Sequence, residues 1–154
     1  MSVYIYLVQH AQAKKEEEDP ERGLTDKGFN DIEKVAKFLS SLKINVDGIY
    51  HSNKKRAVQT AEVLAKYLNP KYIVEDNNLN PLDEPELWYE KILSIEENIM
   101  IVGHLPHLEK LASLLLCGDK TKKVVNFKMA GVVCIKKEEK VFGVEWFVTP
   151  EILE

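Results

Sequence analysis

The amino-acid sequence predicts an α/β fold, a three-layer α/β/α sandwich built on a mostly parallel central sheet. Two observations carry that expectation. Residues 3–8 (VYIYLV) and 99–102 (IMIV) are uninterrupted apolar runs rich in β-branched residues, the pattern of strands buried on both faces of a parallel sheet. Around them, further strand-like segments alternate with segments whose apolar residues recur at three- and four-residue steps, the order expected of an α/β domain.

The elements follow in order. After the first strand, the charged stretch QAKKEEEDPERG, with Pro20, reads as a solvated loop. Thr25 can cap a helix running to about Leu42, with Phe29, Ile32, Val35, Ala36, Leu39 and Leu42 facing inward. Residues 46–50 form a second strand. It leads into a helix from about Asn53 that turns Ala57, Ala61, Leu64 and Leu68 to one face. A short strand near residues 72–74, a loop over 77–85 and a short helix over 86–94 precede the IMIV strand. The next helix has Pro106 in its first turn and Leu108, Leu111, Ala112 and Leu115 inward. Residues 131–136 and 141–148 read as two final strands joined by the charged turn KKEEK. No internal repeat, low-complexity segment or linker interrupts the chain, so residues 1–154 are expected to form a single domain.

Composition narrows the function classes. The chain is 45% hydrophobic and 30% charged, ordinary values for a globular protein. No apolar run approaches the roughly 20 residues that span a bilayer, and the N-terminus lacks the features of a signal peptide. Cys117 and Cys134 are too few for a disulfide scaffold and lack metal-ligand spacing. A cytoplasmic protein without membrane attachment is expected. The net charge of −4 argues against nucleic acid as a partner, while leaving room for a local anion site. Oligomeric state is not legible.

His10 lies just beyond the first buried strand and His104 just beyond the IMIV strand. Arg56 opens the helix after the second strand, and Arg22 lies in the charged loop. Each alone has an ordinary structural reading: a histidine that ends a strand, a solvated helix arginine, an arginine balancing nearby acids. Their joint placement is more informative, because ligands of open α/β sheets bind outside the carboxyl ends of the strands. Two imidazoles and two guanidiniums at that rim make a phosphate site, since the planar fork of arginine matches phosphate oxygens.

These residues sit in segments that together resemble the histidine phosphatase superfamily, the phosphoglycerate mutase-like fold. LVQHAQA resembles its "RHG" or "RHA" signature, and ERGLTDKG the segment with its loop arginine. HSNKKRAVQTAE is similar to its S-x-x-x-R-A-x-Q-T-A helix start, and VGHLPHLEKLASLL to its G-H-x-P motif. The four segments occur in family order across residues 3–116, and the short length with R-x-L-T-x-x-G points to the SixA-like phosphohistidine phosphatase branch.

The resemblance implies that His10 is a nucleophile that becomes phosphohistidine, a covalent route that divides one displacement into two easier steps. It implies that Arg22 and Arg56 bind the phosphoryl oxygens and that His104 donates to them in the transition state. It implies no metal and no cofactor. His104 and His107 have no convincing third ligand, His107 reads as a rim residue, and His51 as part of the strand end. Asp83 and Glu84 lie where larger members carry a proton donor, although a turn and helix start explain them better.

One departure stands out: position 9 is Gln where the family signature has Arg. Gln9 would still contact phosphate, but without charge. Losing one charge-assisted hydrogen bond, about 1.5–3 kcal/mol, would slow catalysis roughly ten- to two-hundred-fold if felt wholly in the transition state. Three functions follow as alternatives. The first is a metal-independent phosphohistidine phosphatase acting on a phosphorylated protein. The second is hydrolysis of a small phosphomonoester. The third is a phosphate- or phosphoprotein-binding module without turnover.

Overall fold

Two-sided burial places both apolar runs in the middle of the sheet. The computed structural model describes residues 2–153. In chain order these form β1 (Ser2–Gln9), α1 (Asp26–Ser41), β2 (Gly48–His51), α2 (Lys55–Leu68) and β3 (Tyr72–Glu75). There follow α3 (Glu86–Ser94), β4 (Ile99–Gly103), α4 (His107–Cys117), β5 (Val132–Glu138) and β6 (Val141–Val148), then a 3-10 turn at Pro150–Ile152. The strands lie in the order β3-β2-β4-β1-β5-β6. β1 to β4 run parallel, β5 is antiparallel to β1, and β6 pairs antiparallel with β5. The sheet is therefore mixed, with β5 alone reversed.

Alternation along β1 sends Tyr6 and Val8 to one face and Ile5 and Leu7 to the other. On the first face α1 supplies Ile32, Val35, Ala36 and Leu39, and α2 supplies Ala57, Ala61 and Leu64. On the second face α3 and α4 supply Trp88, Ile92, Leu108 and Leu111. Helices on both faces of one sheet give the three layers that the sequence predicts.

The differences are at element ends. Phe29 and Leu42, expected inward, are 38% and 49% exposed. Leu42 is the C-cap of α1, beyond its last helical turn, and Phe29 lies at the outer edge of the apolar stripe. Leu68 is only half-buried. Pro106 is the N-cap of α4 rather than part of its first turn. β2 begins at Gly48, two residues later than expected, where a Cβ would come within 2.2 Å of the Tyr72 ring. Among the described residues no helix is long and apolar enough to cross a membrane.

One charged side chain is built into the core. Lys137 on β5 is buried, and its Nζ donates to the carbonyls of Ile92 (2.8 Å), Leu93 (2.7 Å) and Ile95 (2.9 Å). These are carbonyls at the C-terminus of α3, where helix geometry leaves acceptors without intrahelical donors. Lys137→Met keeps the stem but takes this donor from the Leu93 and Ile95 carbonyls and leaves Ile92 O only the 3.3 Å bond from the Ile95 N–H. It is expected to cost about 2–4 kcal/mol, measured as a lower denaturation midpoint with an unchanged slope.

Candidate active site

Adjacent parallel strands place the two histidines side by side. Gln9 pairs with Gly103 at the ends of β1 and β4, and the His10 backbone N–H donates to Gly103 O at 3.1 Å. His10 and His104 therefore leave the same rim, with ring centroids 5.1 Å apart. β2 lies on the other side of β4 and ends level with it, His51 opposite Val102. Ser52, fully buried, is hydrogen-bonded through its Oγ to His104 Nε2 at 2.6 Å. All three residues lie in the crevice outside the carboxyl ends of the strands.

Hydrogen bonding decides the form of His10. Its Nδ1 lies 2.7 Å from Ala11 O. A carbonyl can only accept, so Nδ1 carries the proton and Nε2 keeps its lone pair. Burial pushes the pKa of His10 down to about 4, helped by the Arg56 and Arg22 guanidiniums and opposed by the Ala11 carbonyl. Burial pushes His104 down to about 3, with His10, Arg56, Lys54 and His107 adding to the effect. Both imidazoles are neutral at neutral pH. His51 donates from Nδ1 to Ser52 O (2.8 Å) and so belongs to the strand end, as expected.

The residues around Arg56 explain the R-A-x-Q-T-A spacing. Arg56 lies in the first turn of α2, and Ala57 and Ala61 bury completely against the sheet. One turn on, Thr60 Oγ1 donates to Arg56 O (2.7 Å) and accepts from the Ala11 N–H (3.0 Å), tying the His10 loop to the helix. Gln59 Oε1 accepts from the Leu24 N–H at 2.8 Å and ties down the Arg22 loop. Arg56 has no partner for its buried Nε among the described residues. Burial and the nearby Arg22 charge both lower its pKa.

Arg22 is held by a turn centred on Asp19. The Arg22 N–H donates to Asp19 O (2.8 Å), and the carboxylate of Asp19 accepts from the N–H groups of Glu21 (3.1 Å) and Gly23 (2.9 Å). Arg22 adopts φ 54°, a left-handed conformation that non-glycine residues use sparingly. Its Nε donates to Lys14 O at 3.0 Å. Downstream, the Thr25 hydroxyl donates to Gln12 Oε1 (2.7 Å) and accepts from the Gly28 N–H (2.9 Å), capping α1. A Cβ on Gly28 would lie 2.2 Å from Gln12 O, so the T-x-x-G spacing closes the loop onto the segment after His10.

The remaining expected residues are placed as follows. Gln9 ends β1 half-buried, and its Oε1 has no partner among the described residues. His107 is buried, with neither ring nitrogen partnered among them. Asp83 closes a turn with Asn80, its carboxylate accepting from the Asn80 N–H (2.8 Å). Glu84 turns outward to Lys120 at 2.8 Å, which holds its carboxyl below the usual range. No group of three or more His, Cys, Asp or Glu that could hold a metal ion occurs among the described residues.

The model of one protein family, described as "Histidine phosphatase superfamily (branch 1)", matches residues 5–84, more than half of the chain. The chain belongs to the histidine phosphatase superfamily. An uncharacterized protein of Picosynechococcus sp. is 32% identical over 123 residues, which are 77% of this chain and 74% of that one. Among solved structures, the protein histidine phosphatase SixA complexed with tungstate superposes with a TM-score of 0.86 at 21% identity, over 96% of this chain and 97% of SixA. Phosphoglycerate mutase from Plasmodium falciparum matches with a TM-score of 0.72 at 18% identity, over 96% and 91% of the two chains. The fold is that of SixA and of phosphoglycerate mutase-like proteins.

Ser52 is the site residue that sequence reasoning passed over. It opens the S-x-x-x-R segment of the superfamily, and its position one residue beyond β2, level with His104, was the available signal. The neutrality of the two histidines has a measurable consequence. The kcat/KM of a neutral imidazole nucleophile is expected to stay level from about pH 7 to about pH 5 and to fall as pH drops through about 4. Stability should decline over a wider acid range. The unfolded histidines take protons near their ordinary value of 6.5, and the folded ones resist until about 4 and 3, so stability is lost as pH falls below about 6.5. A pH–rate profile paired with thermal denaturation separates the two effects.

Proposed function

We propose that the chain is a phosphohistidine phosphatase that dephosphorylates a protein through a phosphohistidine intermediate on His10. The observation that carries this reading is the His10 Nδ1–H bond to Ala11 O, which leaves a neutral Nε2 lone pair beside His104 and the two arginines. In the first step Nε2 attacks phosphorus and the phosphorus–nitrogen bond of the substrate breaks. The departing imidazole takes up a proton from solvent water, and the water that attacks in the second step returns one to solvent. In the second step water attacks the phosphoryl group, the bond to His10 Nε2 breaks, and inorganic phosphate leaves. Arg22 and Arg56 neutralise the phosphoryl oxygens, and His104 donates to them while Ser52 holds its ring.

The choice of substrate rests on the leaving group. Glu84 is held ionised by Lys120, and Asp83 is committed to its turn with Asn80, so neither is poised as a strong acid. An imidazole leaves more readily than an alkoxide and needs less acid assistance. The SixA protein, which shares this fold, is described as a protein histidine phosphatase.

The test is phosphate release from a phosphohistidine protein, compared with a panel of sugar phosphates and other phosphomonoesters. Higher kcat/KM on phosphohistidine supports the proposal. Clear preference for the monoesters makes the chain a small-molecule phosphomonoesterase. Phosphate binding that depends on Arg22 and Arg56, without turnover of any substrate, makes it a binding module.

A further inference from the structure

A groove of about 490 Å³ opens outward from the two arginines, walled by Glu21, Arg22, Asn53, Lys54, Lys55 and Arg56. It brings four cations against one carboxylate, in a chain whose net charge is −4. The phosphoryl group accounts for the arginines: its two negative charges match two guanidiniums. Lys54 and Lys55 remain. We propose that they bind a second anionic group of the substrate, an acidic side chain next to the phosphohistidine, and so select phosphohistidines in acidic protein surfaces. This inference rests on the phosphohistidine phosphatase reading and adds the substrate's flanking chemistry to it.

Both lysines are exposed, and Lys54 is anchored at its backbone. The Lys54 N–H donates to Ser52 Oγ at 3.3 Å, so its side chain starts beside the buried His104 pair, and its charge reaches His104. No side chain caps α2, so its positive N-terminal end faces the same groove. The Lys55 stem lies over Gly23, where a Cβ would be 3.2 Å from Lys55 Cε, and this directs the ammonium along the Arg22 loop. There it meets Glu21 at 3.6 Å, in a pair whose carboxylate side chain is 75% exposed. A carboxylate of the chain itself thus already occupies one end of the groove, weakly held and free to be displaced.

The lining also says what the second group is not. Apart from Pro20, the described residues that line the groove are polar or charged, so it offers no aromatic or large aliphatic surface for a base or a sugar face to rest on. Exposed cations on an open wall suit carboxylates presented by another protein's surface.

The experiment uses two phosphohistidine peptides, one flanked by glutamates and one by glutamines. At low salt the wild-type chain should prefer the acidic peptide about tenfold in kcat/KM, mainly through KM, and added salt should shrink the preference. In Lys54→Gln/Lys55→Gln the ratio of the two kcat/KM values should fall to about one. Glu21→Gln should increase the preference. Equal kcat/KM for the two peptides with the wild-type chain, or a preference that survives the double substitution, overturns the groove assignment and leaves the phosphohistidine reading intact. If neither peptide is hydrolysed while phosphomonoesters are, the phosphohistidine reading itself fails and the groove assignment falls with it.

Discussion

Replacing His10 by alanine is expected to remove phosphate release by at least about 10⁴-fold, because no other group can form the covalent intermediate. The expectation rests on geometry. His10 is 9% exposed, its Nδ1 proton is committed to Ala11 O, and its Nε2 carries the free lone pair. His104 cannot replace it: Ser52 engages its Nε2, and the unpartnered Nδ1 is the nitrogen left to donate to the phosphoryl oxygens, as an N–H without a lone pair. The variant should still bind inorganic phosphate, because Arg22 and Arg56 remain in place. Isothermal titration with phosphate therefore distinguishes loss of the nucleophile from collapse of the pocket. Turnover by the variant at the wild-type rate would remove His10 from the chemistry.

The second large effect is a gain. Gln9→Arg is expected to raise kcat roughly ten- to two-hundred-fold, the range that one restored charge-assisted hydrogen bond supplies in the transition state. Gln9 is half-buried where β1 meets β4 and Met129, and its buried Oε1 is unpartnered among the described residues. The cost of the arginine is a third cation near Arg22 and Arg56, whose mutual repulsion already lowers the Arg56 pKa. Apo stability should therefore fall modestly and recover on adding phosphate. Single-turnover kinetics reads the catalytic change, and melting with and without phosphate reads the electrostatic one. An unchanged kcat in a folded variant would mean that the pocket is organised around glutamine.

How much of this was legible in the sequence depends on how completely burial constrained each segment. β1 and β4 read clearly because both faces are covered, which leaves no polar alternation to confuse the pattern. α1 and α2 read clearly in their middles, where Ile32, Leu39, Ala61 and Leu64 are fully buried, and poorly at their ends. Phe29 and Leu42 show why: an apolar residue at the correct spacing is still solvated when the helix outruns the sheet beneath it. The short charged turn between β5 and β6 shows that these two strands oppose each other, and the pairing of β5 with β1 shows that β5 is the reversed one. A parallel crossover needs far more chain than that turn contains.

The site was legible where topology alone converges residues. His10 and His104 follow adjacent strands, so their approach to 5.1 Å is a property of the strand order. Ser52 was open to the same reasoning, one residue beyond β2, but a serine there carries no chemical signal of its own until its partner is known. Its bond to His104 crosses 52 positions of sequence. The Asp19 turn that presents Arg22 was also hidden, since its residues read equally well as solvated loop. Glu84 looked available as a proton donor until its distant partner Lys120 came into view.

The central claim is that His10 carries the phosphoryl group on Nε2, and one measurement tests it directly. The chain is mixed with a phosphohistidine protein, quenched in alkali within milliseconds, and the phosphorylated position located by ³¹P–¹⁵N correlation in histidine-labelled protein. The account predicts one acid-labile phosphoryl group on Nε2 of His10, formed and consumed at rates that match turnover. Phosphate on Nδ1, phosphate on another residue, or steady turnover with no phosphoenzyme at any time would contradict it.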